Sequence, residues 1–371
     1  MTTSAVKNTF GTAKPVAGKM VKGRLRVATF PDGRRSFVPI HVLRGNKPNG
    51  PIVLMMTGAH GDEINGPEAV RRVMTHIKPA DLHGTLVVLP IINPWGFKAR
   101  TREVSIDGRD LNRSFPGSAK GSFSQQVADT IFQLSKVADT IIDVHDAGVR
   151  NVLFPHPRVH AKPANDRTRE LGLSFGSDLV MLRDAEPGML AGVARKRMKK
   201  PVLTVEIGGA FRVWESFQRR SQHGLLNVLR EAGILGGKLV LPKTQLLVHK
   251  TDGTVSTATG IQSNLVELGQ AVKKDQLLFR VYNPSTGDVT QHRSDRCGVV
   301  ISTNVLGHIA KGEPALTILP YESCKTAAPA HGEIICNVDS DRVSTFESKL
   351  SWVHPEHSKF CKIQVPTKRS I

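Results

Sequence analysis

The stretch PIVLMMTGAHGDEINGPEAVRRVMTHI, residues 51–77, contains a strand–turn–helix unit that is typical of an α/β fold. PIVLMM is a short continuous apolar run, as expected of a strand that is covered on both faces. In EAVRRVMTHI the apolar residues recur at helical spacing. The turn between them contains His60 and Glu63. Because a turn needs neither an imidazole nor a carboxylate for its geometry, the H-x-x-E spacing predicts a functional site where the strand ends.

Strand and helix patterns alternate along most of the chain. GTLVVLPIIN, DTIIDVHDAG and PVLTVEIGG predict strands, whereas SQQVADTIFQLSKVA, PANDRTRELGLSF and WESFQRRSQHGLLNVLREAGIL predict helices. Upstream, GRLRVATF and RRSFVPIHVLRG flank the turn signal PDG, which indicates a β-hairpin. We therefore predict an α/β fold with a mixed central sheet that is flanked by helices.

The pattern changes at about residue 238. Short β-type runs then follow one another without a convincing helix. Two segments have similar forms, G-x-x-V-x-K-x-x-x-L at residues 269–278 and G-x-I-x-K-x-x-x-x-L at residues 307–316, which indicates a C-terminal all-β barrel or sandwich. We predict a flexible lead-in at residues 1–22, an α/β domain at residues 23–237 that carries the predicted functional site, and a β-module at residues 238–320. No function is assigned to the C-terminal extension, residues 321–371.

The composition is that of an ordinary soluble protein. Of the 371 residues, 39% are hydrophobic and 22% are charged. No apolar run approaches the roughly 18 residues of a membrane span, and the N-terminus lacks the apolar core of a signal peptide. The four cysteines form no C-x-x-C pair, which suits a reducing compartment. We therefore expect a cytoplasmic protein without a membrane partner, and the sequence is compatible with a homo-oligomer.

A formal net charge of +19 predicts attraction to anions, from carboxylate metabolites to nucleic acids. Only 5% of the residues are aromatic, and no run interleaves basic with aromatic residues as in single-strand binders. Nucleic-acid binding is therefore not the function that we expect. Solubility, or steering of small anions, explains the charge more simply.

Four acidic or imidazole side chains stand at the carboxyl ends of predicted strands, where α/β sheets bind ligands. His60, Glu63 and His145 form a catalytic zinc set of two imidazoles and one carboxylate, although such a set suits several divalent ions. We predict one Zn²⁺ per chain, which would polarise a carbonyl and activate water. Glu206 is the separate carboxylate needed to move a proton. Asp143 either satisfies backbone groups or orients a ligand histidine.

The segment ARTREVSIDGRDLNRSFPG, residues 99–117, is rich in arginine. Arginine binds carboxylates bidentately and also stabilises a developing oxyanion. Asn112 adds a neutral donor beside Arg113. The segment therefore predicts a clamp for an anionic substrate.

At these residues the sequence resembles the succinylglutamate desuccinylase/aspartoacylase family, within the zinc carboxypeptidase-like group. The resemblance rests on G-x-H-G-D-E, R-x(5)-G-x-D-L-N-R-x-F-P-G, D-x-H and V-E-I-G-G, in that order. It covers about residues 23–320 and, within the family, is nearest to the branch that deacetylates N-acetyl-diaminobutyrate in ectoine breakdown.

The resemblance implies a role for each matching residue. His60, Glu63 and His145 would bind zinc, and Glu206 would be the general base and acid. Further along the motifs, Arg102 would polarise the scissile carbonyl, Asn112 and Arg113 would hold the substrate carboxylate, and Asp110 would support the site. The implied activity is hydrolysis of the amide bond of a small anionic N-acyl amino acid, with the β-module excluding peptides.

Two other functions remain open on the sequence. A metallocarboxypeptidase would use the same zinc set on peptide C-termini, and a non-catalytic anion or nucleic-acid binder could use a decayed hydrolase fold. GLSFG matches the serine-hydrolase elbow, but the order of its flanking elements is wrong. His156 and His160 lie among prolines, so we expect loop histidines there.

Overall fold

The computed structural model describes residues 10–30, 32–160, 167–242, 245–249, 251–320, 324–327 and 333–334. The chain divides into two compact units. The first comprises Met1–Val149 and Pro155–Pro242, and the second comprises Arg150–Phe154 and Lys243–Ile371.

In the part of the chain that the structure describes, the first unit is built on a mixed sheet of eight strands in the order β1-β2-β4-β3-β5-β8-β6-β7. Their bounds are β1 (Met20–Thr29), β2 (Arg35–Arg44), β3 (Lys47–Thr57), β4 (His83–Leu89), β5 (Thr140–His145), β6 (Asn151–Val159, of which residues 155–159 belong to this unit), β7 (Leu179–Leu182) and β8 (Val202–Gly209). The strands β4, β3, β5 and β8 run parallel, whereas β1, β2 and β4 pair antiparallel. The prediction of a mixed central sheet is confirmed.

The described residues of this unit form six α-helices beside the sheet: α1 (Asn65–His76), α2 (Pro94–Ala99), α3 (Phe123–Ser135), α4 (Arg167–Ser174), α5 (Leu190–Met198) and α6 (Glu215–Glu231). At the start of α3, Ser122 and Gln125 form a capping box, which satisfies two backbone N–H groups of the first turn. Every residue of β5 and β8 is buried, as expected of parallel strands covered on both faces. No described helix has the length and apolar character that crossing a membrane would require.

The parallel strands bring the predicted functional residues to one edge of the sheet. His60 follows β3, His145 is the last residue of β5, and Glu206 lies near the end of β8. Met56 of β3 pairs with Asp143 of β5, so the neighbouring strand ends lie level. Because these strands run in the same direction, their carboxyl ends form a single surface.

Two details of the first unit differ from the expectations. Within the predicted lead-in, Phe10 and Ala13 are buried and bond to each other's backbone, so the chain packs from residue 10 onward, while residues 1–9 lie outside the described residues. The prediction of loop histidines is wrong for His156, which is a buried residue of β6, and His160 is buried just beyond that strand. A strand tolerates the neighbouring prolines where ladder hydrogen bonds are not needed.

The second unit consists of strands in its described residues. Their bounds are β9 (Gln245–Val248), β10 (Asp252–Val255), β11 (Gly260–Asn264), β12 (Ala271–Val272), β13 (Leu277–Tyr282), β14 (Val289–Arg293), β15 (Gly298–Asn304), β16 (His308–Ile309), β17 (Pro314–Pro320), β18 (Cys324–Ala327) and β19 (Glu333–Ile334). The strands β14-β13-β11-β16 form one sheet, while β17 pairs with β10 and β15. Phe279 of the first group and Val300, Leu316 and Ile318 of the second share one apolar core. Most of the predicted C-terminal extension lies outside the described residues.

Candidate metal centre and its acid–base residues

The turn after β3 is shaped by close packing of its backbone. Gly58 has a φ of +68°, which glycine adopts without a steric cost. A Cβ atom at Gly61 would lie 1.9 Å from the backbone carbon of Gly96, so no larger residue fits there. This packing fixes the turn on which His60 and Glu63 stand, one on each side of Gly61.

The side chains of His60, Glu63 and His145 come together as expected. We call these three residues the metal triad. Nδ1 of His60 lies 2.5 Å from Oε1 of Glu63, and Nδ1 of His145 lies 2.9 Å from Oε2 of Glu63. One ligand atom from each of the three buried side chains lies within 4.8 Å of the others. Two imidazole nitrogens and a carboxylate at this separation could hold a divalent metal ion, and the donor types suit zinc.

The second nitrogen of each imidazole faces another carboxylate. Nε2 of His60 lies 3.2 Å from Oδ1 of Asp110, and Nε2 of His145 lies 3.1 Å from Oδ2 of Asp143. Such contacts hold the ring orientation and leave Nδ1 free to bind a metal. The geometry therefore suits the supporting roles predicted for Asp110 and Asp143.

The charged side chains in and around the metal triad shift one another's pKa. Burial alone would lower the pKa of both histidines, because a desolvated imidazolium is costly. The negative charge of Glu63, with a hydrogen bond to Asp110, instead raises the pKa of His60. Asp143 and Glu63 raise the pKa of His145 well above its usual range. Burial would raise the pKa of Glu63, but the two histidines hold it far below normal. The cluster thus favours positive charge, which protons or a divalent cation can supply.

Asp146 is a further buried acid that fixes Glu63. Its backbone N–H donates to Oε2 of Glu63 at 3.2 Å, while its carboxylate accepts from the backbone and side chain of Asn65 and from the backbone of Gly148. Burial and the charge of Glu63 raise the pKa of Asp146 well above its usual range. Asp146 follows His145 in the sequence, but only the fold shows that its contacts join α1 to the end of β5.

Glu206 lies next to the triad across the sheet. It is paired in register with His145, so the two side chains project from the same face of parallel neighbours. Glu206 is buried, and its Oε1 lies 2.9 Å from Nη1 of Arg158 on β6. Sequence reasoning missed Arg158, because no motif surrounds it.

Arg102 approaches the triad from the segment before Asp110. Its Nη2 lies 3.1 Å from Oδ2 of Asp110, and its Nη1 lies 3.8 Å from Oε1 of Glu63. The Arg102 side chain is 42% exposed, so its guanidinium borders both the triad and solvent. A substrate carbonyl beside the triad would therefore meet a cation.

Asn112 and Arg113 already have partners. Oδ1 of Asn112 accepts from the backbone N–H of Leu190 at 3.2 Å, and its Nδ2 lies 3.3 Å from Nε2 of His145. Asn112 is buried, whereas Arg113 is 37% exposed and forms an ion pair of 2.6 Å with Glu186. A substrate carboxylate that binds Arg113 would compete with Glu186, and the substrate-binding role of both residues stays a prediction.

Residues 49–232 match the model of the succinylglutamate desuccinylase/aspartoacylase catalytic domain. The chain belongs to this family. Members of the family are amidohydrolases that act on N-acyl amino acids. The match runs from within β3 to the end of α6 and therefore includes the metal triad, Arg102 and Glu206.

Three relatives are similar over most of the chain. An N-alpha-acetyl-L-2,4-diaminobutyric acid deacetylase of Halomonas elongata is 26% identical over 292 residues, which cover 76% of this chain and 85% of the relative. A succinylglutamate desuccinylase structure from Silicibacter sp. TM1040 is 27% identical, with a TM-score of 0.73 and coverage of 81% and 94%. The product-bound ectoine utilization protein EutE of Ruegeria pomeroyi is 28% identical, with a TM-score of 0.73 and coverage of 81% and 95%.

Proposed function

We propose that this chain is a zinc-dependent deacylase that hydrolyses the amide bond of a small N-acyl amino acid to a carboxylate and a free amine. The convergence of His60, Glu63 and His145 beside Glu206 supports the proposal most directly, since it joins a metal donor set to a separate acid–base group. Family membership supports the same reaction type.

The triad would hold Zn²⁺ through Nδ1 of each histidine and the carboxylate of Glu63, with Asp110 and Asp143 orienting the rings. Bound zinc supplies Lewis acidity to a substrate carbonyl and acidity to a water molecule. This assignment fits the donor types, the burial and the second carboxylate on each imidazole.

The protein's own residues would divide the remaining work. The guanidinium of Arg102 borders Glu63 and would stabilise negative charge on the acyl oxygen. Glu206 would accept a proton from water and deliver it to the amine that leaves. Arg113 would bind the substrate carboxylate in place of Glu186, while Asn112 would hold the start of α5 in position.

An N-acetylated diamino acid is the first substrate class to test. The Halomonas elongata relative is named for deacetylation of N-alpha-acetyl-L-2,4-diaminobutyric acid, and the Ruegeria pomeroyi relative is an ectoine utilization protein. At 26% and 28% identity, these relatives support hydrolysis of an acyl amide more strongly than they support a particular amino-acid side chain in the substrate. We therefore extend the class to other small N-acyl amino acids.

The test is a hydrolysis screen on the full chain. N-acetyl, N-succinyl and N-formyl amino acids, including N-acetyl-2,4-diaminobutyrate, would be incubated with protein that was stripped by a chelator and with the same protein reloaded with Zn²⁺. Release of free amine only after reloading is the expected result. Amine release that is the same in the stripped protein would contradict the role of zinc.

Two further measurements distinguish the proposed deacylase from the two other functions. Faster cleavage of blocked dipeptides than of acetyl-amino acids would indicate a metallocarboxypeptidase and would contradict the predicted exclusion of peptides by the β-module. No hydrolysis at all, together with RNA or duplex binding that weakens steeply with salt, would indicate a non-catalytic binder.

A further inference from the structure

Glu206 and Arg158 form an ion pair beside the metal triad. Nη1 of Arg158 lies 2.9 Å from Oε1 of Glu206, and the two side chains are 25% and 7% exposed. Arg158 stands on β6, and Glu206 stands on β8, the next strand of the sheet. The contact therefore joins two rigid elements at the edge where the site lies.

The ion pair of Glu206 is closest at one carboxylate oxygen. Oε1 lies 2.9 Å from Nη1 of Arg158, and no hydrogen bond to Oε2 is found among the described residues. A carboxylate that is held at one oxygen keeps its second oxygen available for a proton.

We infer that Arg158 is a positioning residue for Glu206: it holds Oε1 in a fixed direction and leaves Oε2 as the oxygen that receives the proton of water and passes it to the amine. The inference rests on the proposed function, because it assigns Arg158 to the acid–base step of that reaction. It predicts that Arg158 acts on turnover through Glu206 and makes no contact with the substrate.

Stability alone does not account for this pair. Removing two charges from water is costly, and buried ion pairs are often no more stabilising than apolar residues of the same volume. Arg158 is also the described ionic partner of Glu206, so its loss leaves a buried carboxylate without a counter-charge. The kinetic effect must therefore be separated from an effect on folding.

Steady-state kinetics of the zinc-loaded full chain separate the two effects. Arg158→Met should lower kcat about 10- to 100-fold with KM within about threefold of wild type, the cost that is usual for groups supporting an active-site residue. Arg158→Lys should retain more kcat than Arg158→Met, because it keeps the charge. In Arg158→Ala, added guanidinium ion at non-denaturing concentration should restore part of kcat.

Two comparisons exclude general damage. Arg219→Met removes an exposed arginine that pairs with Glu215 and should leave kcat unchanged. Circular dichroism and thermal unfolding of each variant would identify misfolded protein, and Arg158→Lys keeps the test decisive if Arg158→Met does not fold. In a Glu206→Gln background, Arg158→Met should cause no further loss of the residual kcat.

Three results would overturn the inference: unchanged kcat in Arg158→Met, a rise in KM at constant kcat, or losses that multiply in the double variant. A rise in KM alone would make Arg158 a substrate-binding residue. A wild-type protein that hydrolyses no N-acyl amino acid would overturn the proposed function and this inference together. An active wild type with a fully active Arg158→Met variant would overturn the inference alone.

Discussion

Oδ2 of Asp143 lies 3.1 Å from Nε2 of His145, two residues further along β5. Because residues two apart on a strand project from the same face, β5 carries both the proposed zinc ligand and the carboxylate that would orient it. Asp143→Asn should weaken Zn²⁺ binding about 10- to 100-fold, since the neutral amide holds the imidazole N–H less strongly.

Competition against a chromophoric chelator at fixed pH measures this affinity. Asp81→Asn, at an exposed position of the first unit, is the matched control and should bind Zn²⁺ like wild type. Equal affinities in Asp143→Asn and wild type would show that Asp143 only satisfies its local surroundings.

Gly61 is the second position at which the structure predicts the effect of a substitution. A Cβ atom there would lie 1.9 Å from the carbonyl carbon of Gly96, so the turn or α2 must move. Gly61→Ala should lower the free energy of unfolding by about 2 kcal/mol, a typical cost of overpacking, and weaken Zn²⁺ binding. Gly253→Ala adds the same methyl group where nothing lies within 4 Å and should change neither quantity. A Gly61→Ala variant with wild-type stability and affinity would contradict this packing argument.

Much of this site could be predicted from the sequence, because apolar runs show where the strands end. Apolar runs located β3, β5 and β8, and the carboxyl ends of parallel strands meet at one edge. Residues at those ends, such as His60 and His145, were therefore expected to converge. The mixed sheet followed from the same alternation of strand and helix patterns.

Contacts between residues that lie outside any local sequence pattern could not be predicted. Arg158 lies in FPHPRVH, where two prolines obscured a strand, and its partner is 48 positions away, at Glu206. The ion pair of Glu186 with Arg113 likewise joins segments that no short motif connects. Such contacts depend on which strands and loops become neighbours, and that information is not contained in any one stretch of sequence.

Arg113 offers a test of substrate-carboxylate binding. Arg113→Met should raise KM for an N-acyl amino acid about tenfold or more while kcat changes less, because a charge-assisted contact made throughout the reaction is lost. Glu186→Gln should lower KM, because Glu186 occupies Arg113 at 2.6 Å before substrate arrives. Steady-state kinetics of both variants provide the comparison. If Arg113→Met lowered kcat at constant KM, the carboxylate-binding role would be wrong.

The contacts of Glu68 on α1 predict that the free energy of unfolding depends on pH. Hydrogen bonds from Arg71 and then Arg72 lower the pKa of Glu68 from its ordinary 4.5 to about 2. Because the folded-state pKa is depressed, this stabilisation is complete above about pH 4.5 and is lost as the pH falls from there towards 2. Glu68→Gln should therefore cost about 0.5–1 kcal/mol near neutral pH.

Urea unfolding at several pH values measures the Glu68 effect. The difference between Glu68→Gln and wild type should shrink as the pH is lowered towards about 3. Glu103→Gln, which removes a carboxylate that has no described ion pair, should show no such trend. A difference for Glu68→Gln that stays constant down to acid pH would contradict the assignment.

Glu206→Gln distinguishes proton transfer from metal binding. The amide keeps the size of the side chain but cannot accept a proton, so kcat should fall about 10²- to 10⁴-fold, the usual contribution of a general acid–base residue. Zn²⁺ content by elemental analysis should remain that of wild type, because Glu206 is outside the triad that His60, Glu63 and His145 form. Loss of zinc together with activity would move Glu206 into the metal site, whereas wild-type kcat would remove it from the acid–base step.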